Sequence, residues 1–284
     1  MPDVSPSTSS CVWVTGAGGL IGRELVRTFV PGAFDRVVGL TRTDLDLTRP
    51  GDVCERFLAD RPAAVIHAAA MSKSPACQAN PAAARRANVE ATRFLTDLAA
   101  EVPFVFYSTD LVFDGQRGGY VEDDAVNPLS VYAETKVEAE AFVRLHSKGL
   151  VIRTSLNHGI SPTRDRAFNE EMSLAWRAGR TLSLFEDEYR CPIPAEETAR
   201  ATWELLAARA TGILHVAGSE RLSRLEIGRL LAARHLDGEA RIEGTSLRTY
   251  QGAPRSPDTS LDSSKAEAIL GRRLPAYSRW LADH

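Results

Sequence analysis

Short apolar runs alternate with longer stretches of helical periodicity through the first half of the chain. The runs cover residues 12–15, 36–40, 63–68, 103–108 and 150–154. They are rich in β-branched or aromatic residues and apolar on both faces, as strands buried inside a parallel sheet must be. Helical patterns fall between them at residues 20–29, 51–60, 81–101 and 130–147. This alternation predicts βαβ crossovers, and hence an α/β fold with a doubly wound parallel sheet.

The pattern loosens after about residue 155. Further helices are predicted at residues 169–178, 195–208, 224–234 and 264–270, with one more strand at 212–216. We therefore expect a first domain over residues 11–155 and a smaller C-terminal lobe over 156–284. Segments at about 190–216 are expected to pack back on the first domain. The Ser/Pro-rich residues 1–10 are predicted to form a flexible tail.

Composition and charge narrow the class of protein. The 284 residues are 44% hydrophobic and 25% charged, and the net charge of −3 gives no reason to expect a nucleic-acid or membrane partner. No apolar run approaches ~20 residues, and the first residues do not resemble a secretory signal. The scattered Cys11, Cys54, Cys77 and Cys191 form no CxxC pair, so neither a metal site nor a disulfide framework is expected. A cytoplasmic protein follows, with a symmetric homodimer as the default oligomer.

The stretch "VWVTGAGGLIGRELV" places Gly16, Gly19 and Gly22 directly after the first strand, at the opening of a helix. In a dinucleotide site such glycines supply a tight turn, room for the pyrophosphate and close helix–strand packing. The helix N-terminus also offers unpaired N–H groups to phosphate. A glycine-rich turn without a ligand is the alternative. The strand–helix context favours a Rossmann-type NAD(P) site.

The end of the second predicted strand bears on the choice of cofactor. Thr41 and Arg42 stand where an NAD site usually has an acidic residue for the ribose hydroxyls. A hydroxyl and a guanidinium could bind a 2′-phosphate, which a carboxylate would repel. NADP(H) is therefore the predicted cofactor and NAD(H) remains possible, because Arg42 could instead be a solvated loop cation.

Four motifs in register resemble a known family. After "TGAGGLIG" come "HAAA" at residues 67–70, "STDLVFDG" at 108–115 and "YAETK" at 132–136. The chain thus resembles the extended short-chain dehydrogenases/reductases, and "STDLVFDG" resembles their dTDP-4-dehydrorhamnose reductase branch. "VIRTS", "GILHVAG", "LSRLEIG" and "SLDSSKAEAILG" continue the resemblance over nearly the whole chain after the tail.

The resemblance implies a catalytic set of Thr109, Tyr132 and Lys136. Tyr132 and Lys136 are four apart on a predicted helix and so share a face. We expect the lysine charge to lower the tyrosine pKa from ~10, so that the phenol can protonate a carbonyl oxygen. In the family the lysine also bonds the nicotinamide ribose and the threonine orients the substrate oxygen. Taken alone, the Tyr–Lys pair could be an exposed helix pair.

Further positions match the family's cofactor contacts. These are Leu20, Ile21, Asp46, Leu47, Ala68, Ala69, Ala70 and Ser108, beside Tyr132 and Lys136 themselves. Asp46 could equally be a turn residue, and the three alanines could pack under a helix. Asn88 matches a buried helix asparagine with a structural hydrogen-bonding role near the site.

The substrate side departs from the family pattern. The family usually has Trp-x-Tyr-Gly after its "RTS" strand, whereas this chain has Leu156 and His158 in "RTSLNHG", and Leu156 cannot stack on a sugar ring. The predicted substrate contacts are Asp110, Arg153, Leu156, His158, Arg190 and Arg255. Arg255 is expected as a diphosphate contact shifted by one residue, and Arg153 or Arg190 could instead be a structural ion-pair partner. His158 could be an ordinary loop histidine.

These expectations combine into NADP(H)-dependent reduction of a keto group, at C4 of a nucleotide sugar, with Tyr132 as proton donor. Another carbonyl or alcohol substrate on the same scaffold is one alternative, which the altered 156–158 loop motivates. The other is an NADP-binding regulatory role without catalysis, as in the regulatory subunit of methionine adenosyltransferase.

Overall fold

The protein is described by a computed structural model that covers residues 10–234 and 239–284. The predicted tail falls almost entirely on residues 1–9, outside the described residues. Ser10 is described, and its backbone N–H donates to the Asp35 carboxylate at 2.7 Å.

A six-stranded parallel sheet forms the centre of the molecule, which confirms the predicted α/β fold. Its strands are β1 (Cys11–Thr15), β2 (Arg36–Leu40), β3 (Ala64–His67), β4 (Phe104–Thr109), β5 (Gly149–Thr154) and β6 (Gly212–Val216). Their order across the sheet is β6-β5-β4-β3-β1-β2. The sheet is built outward from β1 in both directions, so its strand order reverses there, as in doubly wound nucleotide-binding folds.

Eleven α-helices are described. They are α1 (Leu20–Arg27), α2 (Pro50–Asp60), α3 (Ser74–Ala79), α4 (Pro81–Arg85), α5 (Ala91–Leu98), α6 (Val131–Leu145), α7 (Phe168–Arg177), α8 (Ala195–Ala207), α9 (Arg224–Ala232), α10 (Ser264–Leu270) and α11 (Tyr277–Asp283). The short α3 and α11 were not predicted, whereas the similarly short α10 was. Helix α6 starts where Ser130 caps it, accepting a hydrogen bond from the Ala133 N–H.

The helix predicted over residues 81–101 is interrupted. A π-helical turn, Arg86–Glu90, separates α4 from α5. Its buried Asn88 bonds both backbone groups of Met71 and the Thr135 hydroxyl. The turn therefore ties the segment after β3 to α6, and π-bulges of this kind are frequent at functional sites.

The two faces of the sheet bury separate apolar clusters, because strand side chains alternate. One contains Val12 and Val14 with residues of α1, α8 and α10, and the other contains Cys11 and Trp13 with residues of α2, α5 and α6. Burying both faces explains why the strands read as continuous apolar runs.

A third apolar cluster lies in the C-terminal part of the chain, around Phe168, Trp176 and Tyr277. Three small strand pairs frame it: Leu182–Phe185 with Ile242–Thr245, Tyr189–Arg190 with Leu222–Ser223, and Asn157–His158 with Ile193–Pro194. Between these elements the chain returns to the main sheet, where β6 pairs with β5. The domain boundary near residue 155 stays a prediction. No helix in the described part of the chain is long and apolar enough to cross a bilayer.

Candidate active site

The glycine loop has a geometry that only glycine fits. Gly16 has φ +75°, and a Cβ there would lie 2.6 Å from the Ala69 nitrogen. A Cβ on Gly22 would lie 2.2 Å from the Gly16 carbonyl oxygen, while Gly19 caps α1 and donates to that same oxygen at 2.8 Å. The loop is thus drawn against residues 68–70 at the carboxyl end of β3, which brings two predicted cofactor segments together.

The loop after β2 is more acidic than expected. The Thr41 hydroxyl donates to Asp44 at 2.6 Å, and hydrogen bonds from Thr41 lower the pKa of that carboxyl. Asp46 accepts from the Thr48 hydroxyl at 2.7 Å, which is the turn role left open for it, and Leu47 packs beside the second apolar cluster. Asp44 was not among the predicted site residues.

Arg42 is the solvent-facing cation of this loop. Its side chain is 86% exposed, and its nearest carboxylate oxygen, on Asp46, lies 3.8 Å away. The guanidinium is therefore loosely held and accessible to a phosphate.

Thr109, Tyr132 and Lys136 come together where β4 ends and α6 begins. Thr109 is the last residue of β4, and its hydroxyl lies close enough to the Tyr132 phenol to act on the phenol's pKa. Lys136 follows one turn along α6, 2% exposed, with Nζ 3.9 Å from the centroid of the Phe106 ring. Lys136 is buried and Tyr132 is half-buried one turn before it, so the two groups share one face of the helix.

The predicted direction of the Tyr132 pKa shift is wrong for this structure. Burial raises the Tyr132 pKa, the nearby Asp110 and Cys77 raise it further, and the Thr109 hydrogen bond opposes them. Burial also lowers the pKa of Lys136 to about 7, against the attraction of Glu140. The phenol is held protonated, as a proton donor must be, because desolvation is the largest influence on its pKa.

Asp110 is a junction between three parts of the chain. It accepts from Thr109 at 3.1 Å, from Ser155 at 2.7 Å and from Thr259 at 3.0 Å, and the Arg190 Nε lies 3.8 Å away. Ser155 and Thr259 were missed from the sequence, since only the fold brings them to β4. These donors give Asp110 a positioning role, and its contact with substrate stays a prediction.

Ser108 and Arg153 lie side by side in the β4–β5 register. Ser108 is 4% exposed, and no partner for its hydroxyl occurs among the described residues. The Arg153 guanidinium grips Glu140 through two bonds of 3.0 and 2.8 Å, with both side chains buried. Arg153 therefore forms the structural ion pair that was its alternative reading.

Leu156 and His158 both lead into the C-terminal apolar cluster. Leu156 packs against it, and His158 Nδ1 lies 2.7 Å from the Tyr277 hydroxyl with its ring edge-on to Trp280. Burial lowers the His158 pKa to about 4, so the ring is neutral at physiological pH. Aromatic groups near this position thus come from α11, a source the sequence did not indicate.

Arg190 and Arg255 share one buried partner, Glu188. Arg255 binds both of its oxygens, at 2.7 and 3.0 Å, and Arg190 binds one at 2.9 Å. Burial acts to raise the Glu188 pKa, but the Arg255 hydrogen bond and the charges of Arg190, Arg255 and Arg224 outweigh it, so the pKa is lowered. Three arginines thus surround one carboxylate beside Asp110.

Within the described residues no group of His, Cys, Asp and Glu could hold a metal ion, and all four cysteines are free thiols.

A six-stranded Rossmann-type sheet, a glycine loop and a Tyr–Lys helix define an extended short-chain dehydrogenase/reductase. The sequence matches the RmlD substrate binding domain family over residues 10–284, and the chain belongs to that family. It is 31% identical to a probable low-salt glycan biosynthesis reductase from Haloferax volcanii, over 95% of both chains. It is 25% identical to the methionine adenosyltransferase 2 subunit beta of Bos taurus, over 93% of this chain and 84% of the relative.

Solved structures show the same fold. A hypothetical dTDP-4-dehydrorhamnose reductase from Sulfolobus tokodaii superposes with a TM-score of 0.82 and 32% identity, covering 94% of this chain and 96% of that one. The dTDP-4-dehydrorhamnose reductase of Bacillus anthracis, solved in complex with NADP, gives a TM-score of 0.87 at 23% identity, covering 97% and 98%.

Proposed function

We propose that this protein catalyses the NADP(H)-dependent reduction of a keto group on a nucleotide sugar. The observation that carries the proposal is the convergence of the glycine loop, the neighbouring Thr109 and Tyr132, and buried Lys136 at the carboxyl end of one sheet. In open α/β sheets that edge is where ligands bind. The reductases among its relatives support the same class of reaction.

The residues of the glycine loop fit a dinucleotide. The backbone of Gly16 and Gly22 passes within van der Waals contact of its neighbours, leaving the N-terminus of α1 free to face the pyrophosphate. NADPH would supply the hydride. Arg42 supports NADP(H) over NAD(H), and the B. anthracis reductase binds NADP, whereas Asp44 and Asp46 act in the opposite sense.

Each catalytic side chain has a role in delivering the proton. Tyr132 holds its proton because burial raises its pKa, and it gives this proton to the carbonyl oxygen that becomes the alcohol. Thr109 orients that oxygen. Lys136 places a positive charge one helical turn from the phenol. A proton donor kept in the protonated state suits reduction better than oxidation.

The substrate class rests on the arginine cluster around Glu188. Arg190, Arg224 and Arg255 gather at Glu188, with Asp110 beside Arg190 and Glu171 acting on Arg224. The Arg255 side chain is partly exposed, so an anion can reach its guanidinium. Guanidinium groups in this arrangement match a diphosphate. The altered Leu156–His158 segment leaves the sugar open.

The test is reduction of dTDP-, GDP- and CDP-4-keto sugars by the wild type and a Tyr132→Phe variant, followed by loss of NADPH absorbance. We expect Tyr132→Phe to lower kcat by about 10²- to 10⁴-fold, because the general acid is lost. Undiminished turnover by the variant, or no turnover of any sugar by the wild type, would contradict the proposal.

A regulatory role is the second candidate, because the subunit beta of methionine adenosyltransferase 2 is a relative over most of the chain. It predicts stoichiometric co-purification with a larger enzyme and normal behaviour of Tyr132→Phe in that complex. The intact Thr109, Tyr132 and Lys136 set supports catalysis instead.

A further inference from the structure

Glu140 is a third ionisable group on the face of α6 that carries Tyr132 and Lys136. Glu140 follows Lys136 by four residues, as Lys136 follows Tyr132, so the three side chains form one column. Glu140 is 3% exposed. A carboxylate this far from water must be paired or neutral.

Arg153 of β5 provides the pairing. Its Nε lies 3.0 Å from Glu140 Oε1 and its Nη2 lies 2.8 Å from Oε2, the two-pronged geometry that fixes both oxygens. Its Nη1 also approaches the Glu122 carbonyl oxygen at 3.4 Å, and its guanidinium stacks over Phe113. The arginine is anchored on three sides, so the position of Glu140 on α6 is anchored as well.

Lys136 is a buried cation whose observed contact is the face of an aromatic ring. Burial disfavours its charge, and Glu140 is the group that acts in the opposite direction. The neighbouring buried groups His67 and Cys77 do not supply a negative charge. Burial holds both neutral, since it lowers the His67 pKa to about 3 and raises the Cys77 pKa.

The remaining titratable groups on α6 and on the elements packed against it are either exposed to solvent or placed to act on other residues. Those on solvent-exposed or partly exposed side chains are Arg85, Arg86, Glu90, Arg93, Asp97, Glu134, Glu138 and Arg144. Of the buried ones, Tyr107 lies in the apolar cluster on the opposite face of the sheet and Asp110 acts on Tyr132. Glu140 is therefore the buried anion available to Lys136.

We propose that Glu140, gripped by Arg153, is the counter-charge that keeps Lys136 an ammonium within the proton-transfer site. Both are positioning residues: they act through Lys136 and do not touch the substrate. The proposal deepens the reductase function proposed above, which needs a charged lysine beside the tyrosine. It makes the pH range of activity depend on a carboxylate two helical turns from the proton donor.

The titration of Lys136 tests this directly, without any substrate. The chain has four lysines, Lys73, Lys136, Lys148 and Lys265. Full-length protein labelled with [¹³Cε]lysine therefore gives four resonances, and Lys136→Arg assigns the one that matters. In Glu140→Gln we expect the Lys136 midpoint to fall by about one pH unit, because the counter-charge is lost and Arg153 is left unopposed. Glu140→Asp retains the charge and should restore most of the shift.

Two further variants make the result decisive. Glu138→Gln removes the same charge from the exposed side of the same helix and should leave the midpoint unchanged. Glu140→Gln/Arg153→Gln removes both buried charges, so it avoids an unpaired arginine if the single variant does not fold. It should still lower the midpoint.

A midpoint within about 0.3 pH unit of wild type in the folded variants lacking Glu140 would overturn the proposal. If the enzyme is active, the alkaline limb of kcat/KM should move to lower pH in parallel, since activity requires the protonated lysine. A shifted midpoint in a protein that reduces none of the sugars would instead refute the proposed function and leave Glu140 as the counter-charge.

Discussion

Two buried glutamates near the candidate site are partnered differently. Glu140 meets one arginine, Arg153, whose side chain is 3% exposed. Glu188 meets Arg190 and Arg255, the charge of Arg224 also acts on it, and the Arg255 side chain is 38% exposed. The first arrangement is closed to solvent. The second has a partly exposed guanidinium that an anion can reach.

Removing each carboxylate should give the largest effects. Glu140→Gln and Glu188→Gln each leave buried arginine charge uncompensated, and we expect each to cost about 3–5 kcal/mol of unfolding free energy. Denaturant titration measures both losses. Phosphate or dTDP should stabilise Glu188→Gln more than Glu140→Gln, because an anion at the arginines can there replace the missing carboxylate. Equal rescue of both variants would remove the distinction between the two clusters.

Loss of the exposed arginine should have a smaller and more selective effect. Arg255→Met is expected to raise the KM for the nucleotide sugar by about 10- to 100-fold, the range for a lost hydrogen bond to a charged group. The Kd for NADPH should stay the same, as measured by fluorescence titration. Arg241→Met, which removes an exposed arginine paired with Glu239, is the matched control. A weakened NADPH affinity in Arg255→Met would show that this arginine contacts the cofactor and not the nucleotide sugar.

Arg42 is a cation with almost no partner, so its replacement should have the smallest of these effects. Arg42→Ser is expected to weaken NADPH binding about two- to fivefold, as for an exposed ion pair, while NADH binding does not change. Arg49→Ser, another exposed arginine close by in the sequence, serves as control. Equal weakening of both cofactors would show that Arg42 does not recognise a 2′-phosphate, and the NADP(H) preference would fail.

The strands and the glycine loop could be predicted because their signals are local. A strand buried on both faces must be apolar throughout, and Gly16 and Gly22 stand where a Cβ would collide with backbone. The Tyr132–Lys136 spacing is likewise fixed by the helix itself. The Gly22 and Tyr132–Lys136 signals depend on residues within one or two turns of each other, so spacing is enough to find them, whereas the backbone that approaches Gly16 belongs to Ala68 and Ala69.

The charge clusters could not be predicted, because they join residues from distant parts of the chain. Asp110 is bonded by Ser155 and Thr259, and Glu188 by Arg255. The Tyr132 pKa was misjudged for the same reason, since the burial that raises it comes from tertiary packing. The interrupted helix after residue 85 follows from Asn88 bonding Met71, which periodicity does not reveal.

The pairing of β6 with β5 has a consequence for how the protein folds during synthesis. During synthesis β1 to β5 leave the ribosome before β6. The outer edge of β5 therefore stays unpaired until residues 212–216 emerge. Open parallel edges and uncovered apolar faces invite association with other chains, and this one also waits for α8 to cover Leu150 and Ile152. The nascent chain therefore has an interval in which a chaperone, or slow translation of residues 155–211, would decide between folding and aggregation.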